Sequence, residues 1–177
     1  MIKMVVFDFT GVIVSGGHKS LCKKLGEVYN LPTAKVYEHF YTRYFNDFCL
    51  SKIGEKEAWQ KPMDELGIKV DWRELRDKYY LSSHRANRPL LRWAMKLRKK
   101  YRLVILSKNV PKYFREERRQ FGLDKIFHAA INTADLNLPK ASPKTIQYVL
   151  DNYHLRPQET VYMDDQEANL LAPKSWE

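Results

Sequence analysis

The chain has 177 residues, of which 44% are hydrophobic and 29% charged, with a formal net charge of +10. Such a length builds one domain, or one domain with an insertion, around a real core, and the composition excludes a disordered chain. No segment has the apolar length to cross a bilayer, and Cys22 and Cys49 stand in no zinc-ligand or disulfide-framework spacing, so no membrane association and a reducing, cytoplasmic setting are expected.

Residues 2–8 form an apolar run that predicts a buried strand and ends on Asp8, followed by Phe9, Thr10 and Gly11. The run is too short for a secretory signal and passes straight into an acid. A carboxylate followed at once by a glycine is a poor way to build a core. It is a good way to hold an acid at the carboxyl end of a strand, where open α/β sheets bind their ligands.

From Ser15 the apolar spacing turns helical and stays so for about seventy residues. Leu21, Cys22, Leu25, Val28 and Tyr29 share one face. Val36, Tyr37, Phe40, Tyr41, Tyr44, Phe45 and Phe48 repeat that spacing after Leu31-Pro32-Thr33. Gly54 opens a segment with Ala58, Trp59, Met63 and Leu66 inward, and Asp71 caps another containing Leu75 and Tyr79. No strand pattern interrupts this block, so a small helical module is predicted over residues 15–86.

After Asn87 strands and helices alternate. Asn87 with Pro89 starts a helix whose stripe is Leu90, Leu91, Ala94 and Leu97. Residues 102–106 read as a buried strand that ends in Ser107. A helix over about 111–120 stops at Gly122, and residues 129–132 form a short strand. Ser142-Pro143 opens a helix with Ile146, Val149, Leu150 and Tyr153 inward. Residues 160–163 form a strand ending in Asp164-Asp165, and a further helix begins at Glu167. This alternation predicts an α/β fold with a parallel sheet and right-handed crossovers.

In a parallel sheet the ends carrying Asp8, Ser107 and Asp164-Asp165 lie along one edge, so these residues converge. Each alone could be a turn or cap residue; three together make that reading weak. At this point the chain resembles the haloacid dehalogenase (HAD) superfamily of Asp-nucleophile hydrolases, in its phosphatase-like branch. VVFDFTGVI (5–13) is similar to the first motif of that family, a strand followed by Asp-x-Asp-Gly. VILSKN (104–109) resembles the second, PKASPKTIQYVL (139–150) the third, and VYMDDQEAN (161–169) the fourth.

The resemblance covers nearly the whole chain and implies a Rossmann-like core, residues 1–14 and 87–177, with a helical cap inserted over 15–86. It implies a phosphatase in which Asp8 is the nucleophile, attacking a phosphoryl group to give an aspartyl-phosphate. A carboxylate attacking a phosphate faces charge repulsion, so a cation is needed, and Mg²⁺ suits an all-oxygen site. The family pattern gives Asp8, Asp165 and the main-chain carbonyl of Thr10 as metal ligands, with Asp164 joining through water and Asn169 orienting the cluster. Ser107 would donate to a phosphoryl oxygen, and Lys140 would neutralise charge in the transition state. Lys108 would add charge at the phosphate or point to solvent, with solvent preferred. The implied partner is a small phosphorylated metabolite held under the cap, of which Arg43 and His18 are the polar residues of first interest. Neither the metabolite nor the oligomeric state is written in the sequence.

Thr10 departs from the pattern. Family phosphatases carry a second Asp there as general acid and base, and threonine cannot do that work near neutral pH. Cation-pumping ATPases of the same superfamily also have Asp-x-Thr-Gly and form slowly hydrolysed aspartyl-phosphates. The chain ends Pro173-Lys174-Ser175-Trp176-Glu177, where the family pattern continues for another strand and helix, so the sheet is expected to lack an edge strand or the chain to be shortened. A binding or regulatory protein that keeps the fold but turns over weakly is the second reading. A 2-haloacid dehalogenase stands well behind, since those enzymes need no metal and differ at the fourth motif. The basic clusters at 97–102 and 114–121 fit an anionic ligand, but a solvated surface carries more weight than nucleic acid.

Overall fold

The computed structural model describes residues 1–174. In chain order the elements are β1 (Met4–Phe7), β2 (Val14–Ser15), α1 (Gly17–Tyr29), α2 (Thr33–Tyr37), a π-helical stretch (Glu38–Arg43), α3 (Phe45–Cys49), α4 (Glu55–Glu65), α5 (Trp72–Leu75) and a second π-helical stretch (Arg76–Tyr80). Then come β3 (Arg85–Ala86), α6 (Arg88–Leu97), β4 (Arg102–Ser107), α7 (Pro111–Gln120), β5 (Ala129–Asn132), α8 (Pro143–Asn152), β6 (Thr160–Met163) and α9 (Leu171–Lys174). The chain divides into two compact units, one made of Met1–Val14 with the chain from Ala86 onward, the other of Ser15–Arg85. Ala86, expected with the helical segment, groups with the first unit. No described helix is long and apolar enough to cross a membrane.

The first unit is built on a four-stranded sheet in the order β5-β4-β1-β6, parallel throughout. Central parallel strands are covered on both faces, which is why β1 and most of β4 are continuous apolar runs rather than alternating ones. Alternate residues serve opposite layers. Val5, Phe7, Leu103 and Ile105 pack with Leu91 and Ala94 of α6 and Phe114 of α7 on one face. Met4, Val6, Val104 and Leu106 pack with Ile146, Val149 and Leu150 of α8 and Ala172 of α9 on the other. The strand order therefore reverses beside β1, with β4 to one side and β6 to the other, and this is the point where such sheets open a crevice.

Local signals set the helix ends. The Asn87 side chain accepts from the Leu90 amide (3.2 Å) and the Ser142 hydroxyl from the Lys144 amide (3.2 Å), each ahead of a proline in the first turn. Asp71 accepts from the amides of Arg73 (2.8 Å) and Glu74 (3.3 Å). Gly122 takes φ 65°, closing the chain after α7 in the left-handed conformation that glycine adopts without strain.

The helical unit departs from the predicted stripes in a systematic way. Tyr44 and Phe48 are only half-buried, whereas Phe45 and Cys49 are buried. Likewise Tyr80, not Tyr79, faces inward, and Val28 is exposed. Both shifts follow from the two π-helical stretches, where each widened turn takes an extra residue and moves the stripe by one. Phe40 and Phe45, five apart, thus serve where a regular helix would use Phe40 and Tyr44. The His18 ring packs among Tyr41, Phe45 and Tyr80 at centroid distances of 5.2, 4.3 and 4.8 Å. Arg43 pairs with Glu38 (3.5 Å) and Glu65 (3.2 Å).

Candidate active site

Asp8 follows β1 directly and is almost wholly buried. Its amide donates to the Met163 carbonyl at the end of β6 (2.8 Å), which locks the two strand ends side by side. Beyond it the chain folds back at once: the Phe9 carbonyl accepts from the amides of Ile13 (2.9 Å) and Val14 (2.8 Å), and the Gly11 amide donates to the Val14 carbonyl (2.7 Å). Thr10 lies in this turn, bridged to Val14. Gly11 adopts φ +108°, and a Cβ there would come within 2.6 Å of Asp165 Oδ1. Glycine at this position is therefore what lets the Asp165 carboxylate lie against the turn after Asp8.

Lys140 reaches this edge from the segment between β5 and α8. The buried Thr145 hydroxyl donates to the Pro139 carbonyl (2.7 Å) and the Ser142 amide to the same oxygen (3.0 Å), pinning the residue before Lys140 to the start of α8. The Lys140 ammonium donates to Asp8 Oδ1 and to Asp164 Oδ2, the latter at 2.6 Å, and its side chain is 11% exposed. Asp164 is held from the other side as well. Asn169 Nδ2 donates to both of its oxygens (3.0 and 3.1 Å), and the Gln166 amide donates to Oδ1 (2.9 Å).

Burial dominates the electrostatics of Asp8. Desolvation raises its carboxyl to about 6, against the lowering effect of Lys140, while neighbouring Asp164 pushes the same way as burial. Ligand atoms of Asp8, Asp164 and Asp165 all lie within 4.8 Å of one another. Asp8 and Asp164 share the Lys140 ammonium, and the Asp165 carboxylate lies beside them. The donors are oxygen alone, and Asp165 is exposed. This set fits a hard divalent cation.

The structure thus brings Asp8, Thr10, Lys140, Asp164, Asp165 and Asn169 together at one sheet edge. Ser107 is buried at the end of β4, the strand alongside β1, and Lys108 next to it is half-buried. One residue that the sequence reading left in a strand also acts here. Asn132, paired with Ser107 across β4 and β5, accepts from the Asn109 amide (3.0 Å) and donates to the Asn109 carbonyl (2.9 Å). Both asparagines are buried, and the Thr133 amide donates to the Ser107 carbonyl (2.7 Å). These bonds fix the turn that presents Ser107 and Lys108. The available signal was a polar amide closing an otherwise apolar strand.

A family model described as haloacid dehalogenase-like hydrolase matches residues 2–175. No curated protein matches the chain by sequence. Among solved structures, the HAD family enzyme BT-2542 of Bacteroides thetaiotaomicron is 18% identical with a TM-score of 0.79, the match covering 99% of this chain and 90% of that one. The same enzyme in complex with magnesium and inorganic phosphate matches at 19% and 0.77, over 99% and 91% of the two chains. L-2-haloacid dehalogenase of Xanthobacter autotrophicus, with chloropropionic acid covalently bound, matches at 17% and 0.70, over 99% and 75%. At such identities these likenesses show a shared fold, and a fold does not settle the reaction.

Proposed function

The chain belongs to the haloacid dehalogenase-like hydrolases, and on that premise we propose that it is a Mg²⁺-dependent phosphomonoesterase acting on a small phosphorylated metabolite. The observation that carries this reading is the clustering of Asp8, Asp164 and Asp165, the first two bonded to the Lys140 ammonium. A dehalogenase attacks an uncharged carbon and needs no metal; a carboxylate attacking a phosphate needs a cation close by, and clustered carboxylates can hold one. BT-2542, of the same fold, binds magnesium and inorganic phosphate together.

Asp8, Asp165 and the Thr10 carbonyl would hold the ion, with Asp164 contributing through water. Mg²⁺ would supply positive charge between nucleophile and phosphoryl group. An Asp8 carboxylate oxygen attacks phosphorus, the ester P–O bond breaks, and the alcohol leaves with a proton taken from solvent. Lys140 neutralises the phosphoryl oxygens as charge builds on them, and Ser107 donates a hydrogen bond to one of them. Water then attacks phosphorus, the bond to Asp8 breaks and phosphate departs. Asn169 keeps Asp164 oriented throughout. The helical unit would act as the cap that excludes water and selects the substrate.

Thr10 favours a second reading, a protein that forms the aspartyl-phosphate but releases it slowly and works by binding. One experiment separates the two: p-nitrophenyl phosphate hydrolysis with Mg²⁺, with EDTA, and by an Asp8→Asn variant. Turnover that requires Mg²⁺ and falls by at least about 10⁴-fold in Asp8→Asn supports the phosphatase. Absent turnover across a panel of phosphate esters, with a folded protein, gives the binding reading the lead.

A further inference from the structure

The charge of this chain is unevenly distributed. Residues 88–125 hold thirteen Lys or Arg against three Asp or Glu, and the remaining chain holds eighteen of each, so the whole net charge of +10 belongs to this one segment. The segment is α6, β4, α7 and their connections. Strand β4 is largely buried, and α6 and α7 pack on the same face of the sheet, so the charge emerges on one side of the first unit.

From Arg88 to Arg102 there are seven cationic residues and no acid, and all seven are exposed. None of them forms an ion pair among the described residues. Arg88, Arg92 and Lys96 follow one another at four-residue steps along α6, a row with a spacing of about 6 Å, which Lys99 and Lys100 extend. Two exposed large hydrophobic residues flank the row, Trp93 (46%) on one side and Met95 (57%) on the other. An exposed indole beside a row of unpaired cations is what a stacking platform needs.

We propose that the outer face of α6 binds single-stranded nucleic acid without sequence preference, backbone phosphates lying along the cationic row and a base stacking on Trp93. The pattern fits a membrane surface less well. An interfacial helix puts apolar residues in the middle of its exposed face and cations at the margins, and here the order is reversed. An acidic peptide would offer carboxylates to the row but no flat partner for the indole. The proposal stands independently of the hydrolase reading.

The test is fluorescence anisotropy of labelled 20-nucleotide oligo-U and oligo-dT titrated with the whole chain at 50, 100 and 200 mM KCl. Binding should weaken steeply with salt, log K against log salt having a slope of about −2 to −3 for three to four phosphates contacted. Reversing the row with Arg92→Glu, Lys96→Glu and Lys99→Glu together should weaken binding at least about tenfold and flatten the slope by about 2. Trp93→Ala should weaken it about tenfold while leaving the slope unchanged. The single change Lys96→Gln, which cannot disturb the buried side of α6, should flatten the slope by about 0.7. Circular dichroism and hydrolysis of p-nitrophenyl phosphate should match the wild type in all of these. No binding at 50 mM KCl, or equal binding by the charge-reversed protein, would overturn the proposal. So would equal competition by polyglutamate or by phosphatidylserine vesicles, or a Trp93→Ala variant that binds as tightly as the wild type.

Discussion

At the carboxyl edge of the sheet buried Asp8 and partly buried Lys140 and Asp164 are bonded to one another, whereas along α6 Arg88, Arg92 and Lys96 stand in solvent with no carboxylate paired to them among the described residues. Both regions belong to the same unit and both are dense in charge. They differ in what water does for them. The α6 cations are hydrated and nearly independent, so each contributes by itself to a long-range field. The strand-end charges have lost much of their hydration and depend on one another, so none can be changed alone. Charge density says little by itself; burial decides whether charges act singly or as a unit.

The largest effect expected from testing this contrast is catalytic. Thr10→Asp adds an acid and base to the buried group and should raise steady-state turnover of a phosphate ester by about 10²-fold or more. Unchanged or lower turnover in a folded variant would show that the site does not wait on a missing proton carrier.

Lys140→Ala leaves buried Asp8 and partly buried Asp164 without their ammonium. Urea unfolding should show a loss of about 3–5 kcal/mol, and adding Asp8→Asn to that variant should restore part of it. A loss below about 1 kcal/mol, with no recovery, would break the contrast. Asn132→Ala removes the bracket on Asn109 and should lower stability by about 1–3 kcal/mol, since it leaves a buried amide without an acceptor. The smallest change is expected on the exposed side, where Arg92→Ala should alter stability by no more than about 0.5 kcal/mol.

Much of this architecture is legible in the sequence. The strands 129–132 and 160–163 and the caps Asp71, Asn87 and Ser142 are local events, settled by a few adjacent residues. The family likeness also brought Asp8, Lys140, Asp164, Asp165 and Asn169 onto one list, although their meeting depends on strand order. What remained hidden was of two kinds. The π-helical stretches moved the inward face from Tyr44 to Phe45 and from Tyr79 to Tyr80, because a widened turn has no sequence period of its own. Asn132 was invisible because its partner Asn109 is 23 residues away on another strand end, so its worth lies in the pairing of β4 with β5.

Lys140 also bears on the order in which the molecule matures. Many small metalloproteins cannot complete their fold until the ion arrives, because binding it supplies the free energy of folding. Here the chain brings an internal counter-ion: the ammonium of Lys140 already bridges Asp8 and Asp164. On the Mg²⁺ reading proposed above, folding would then not wait for the metal. If activity requires the ion as proposed, the local supply of free divalent ion would set how much of an already folded stock is at work.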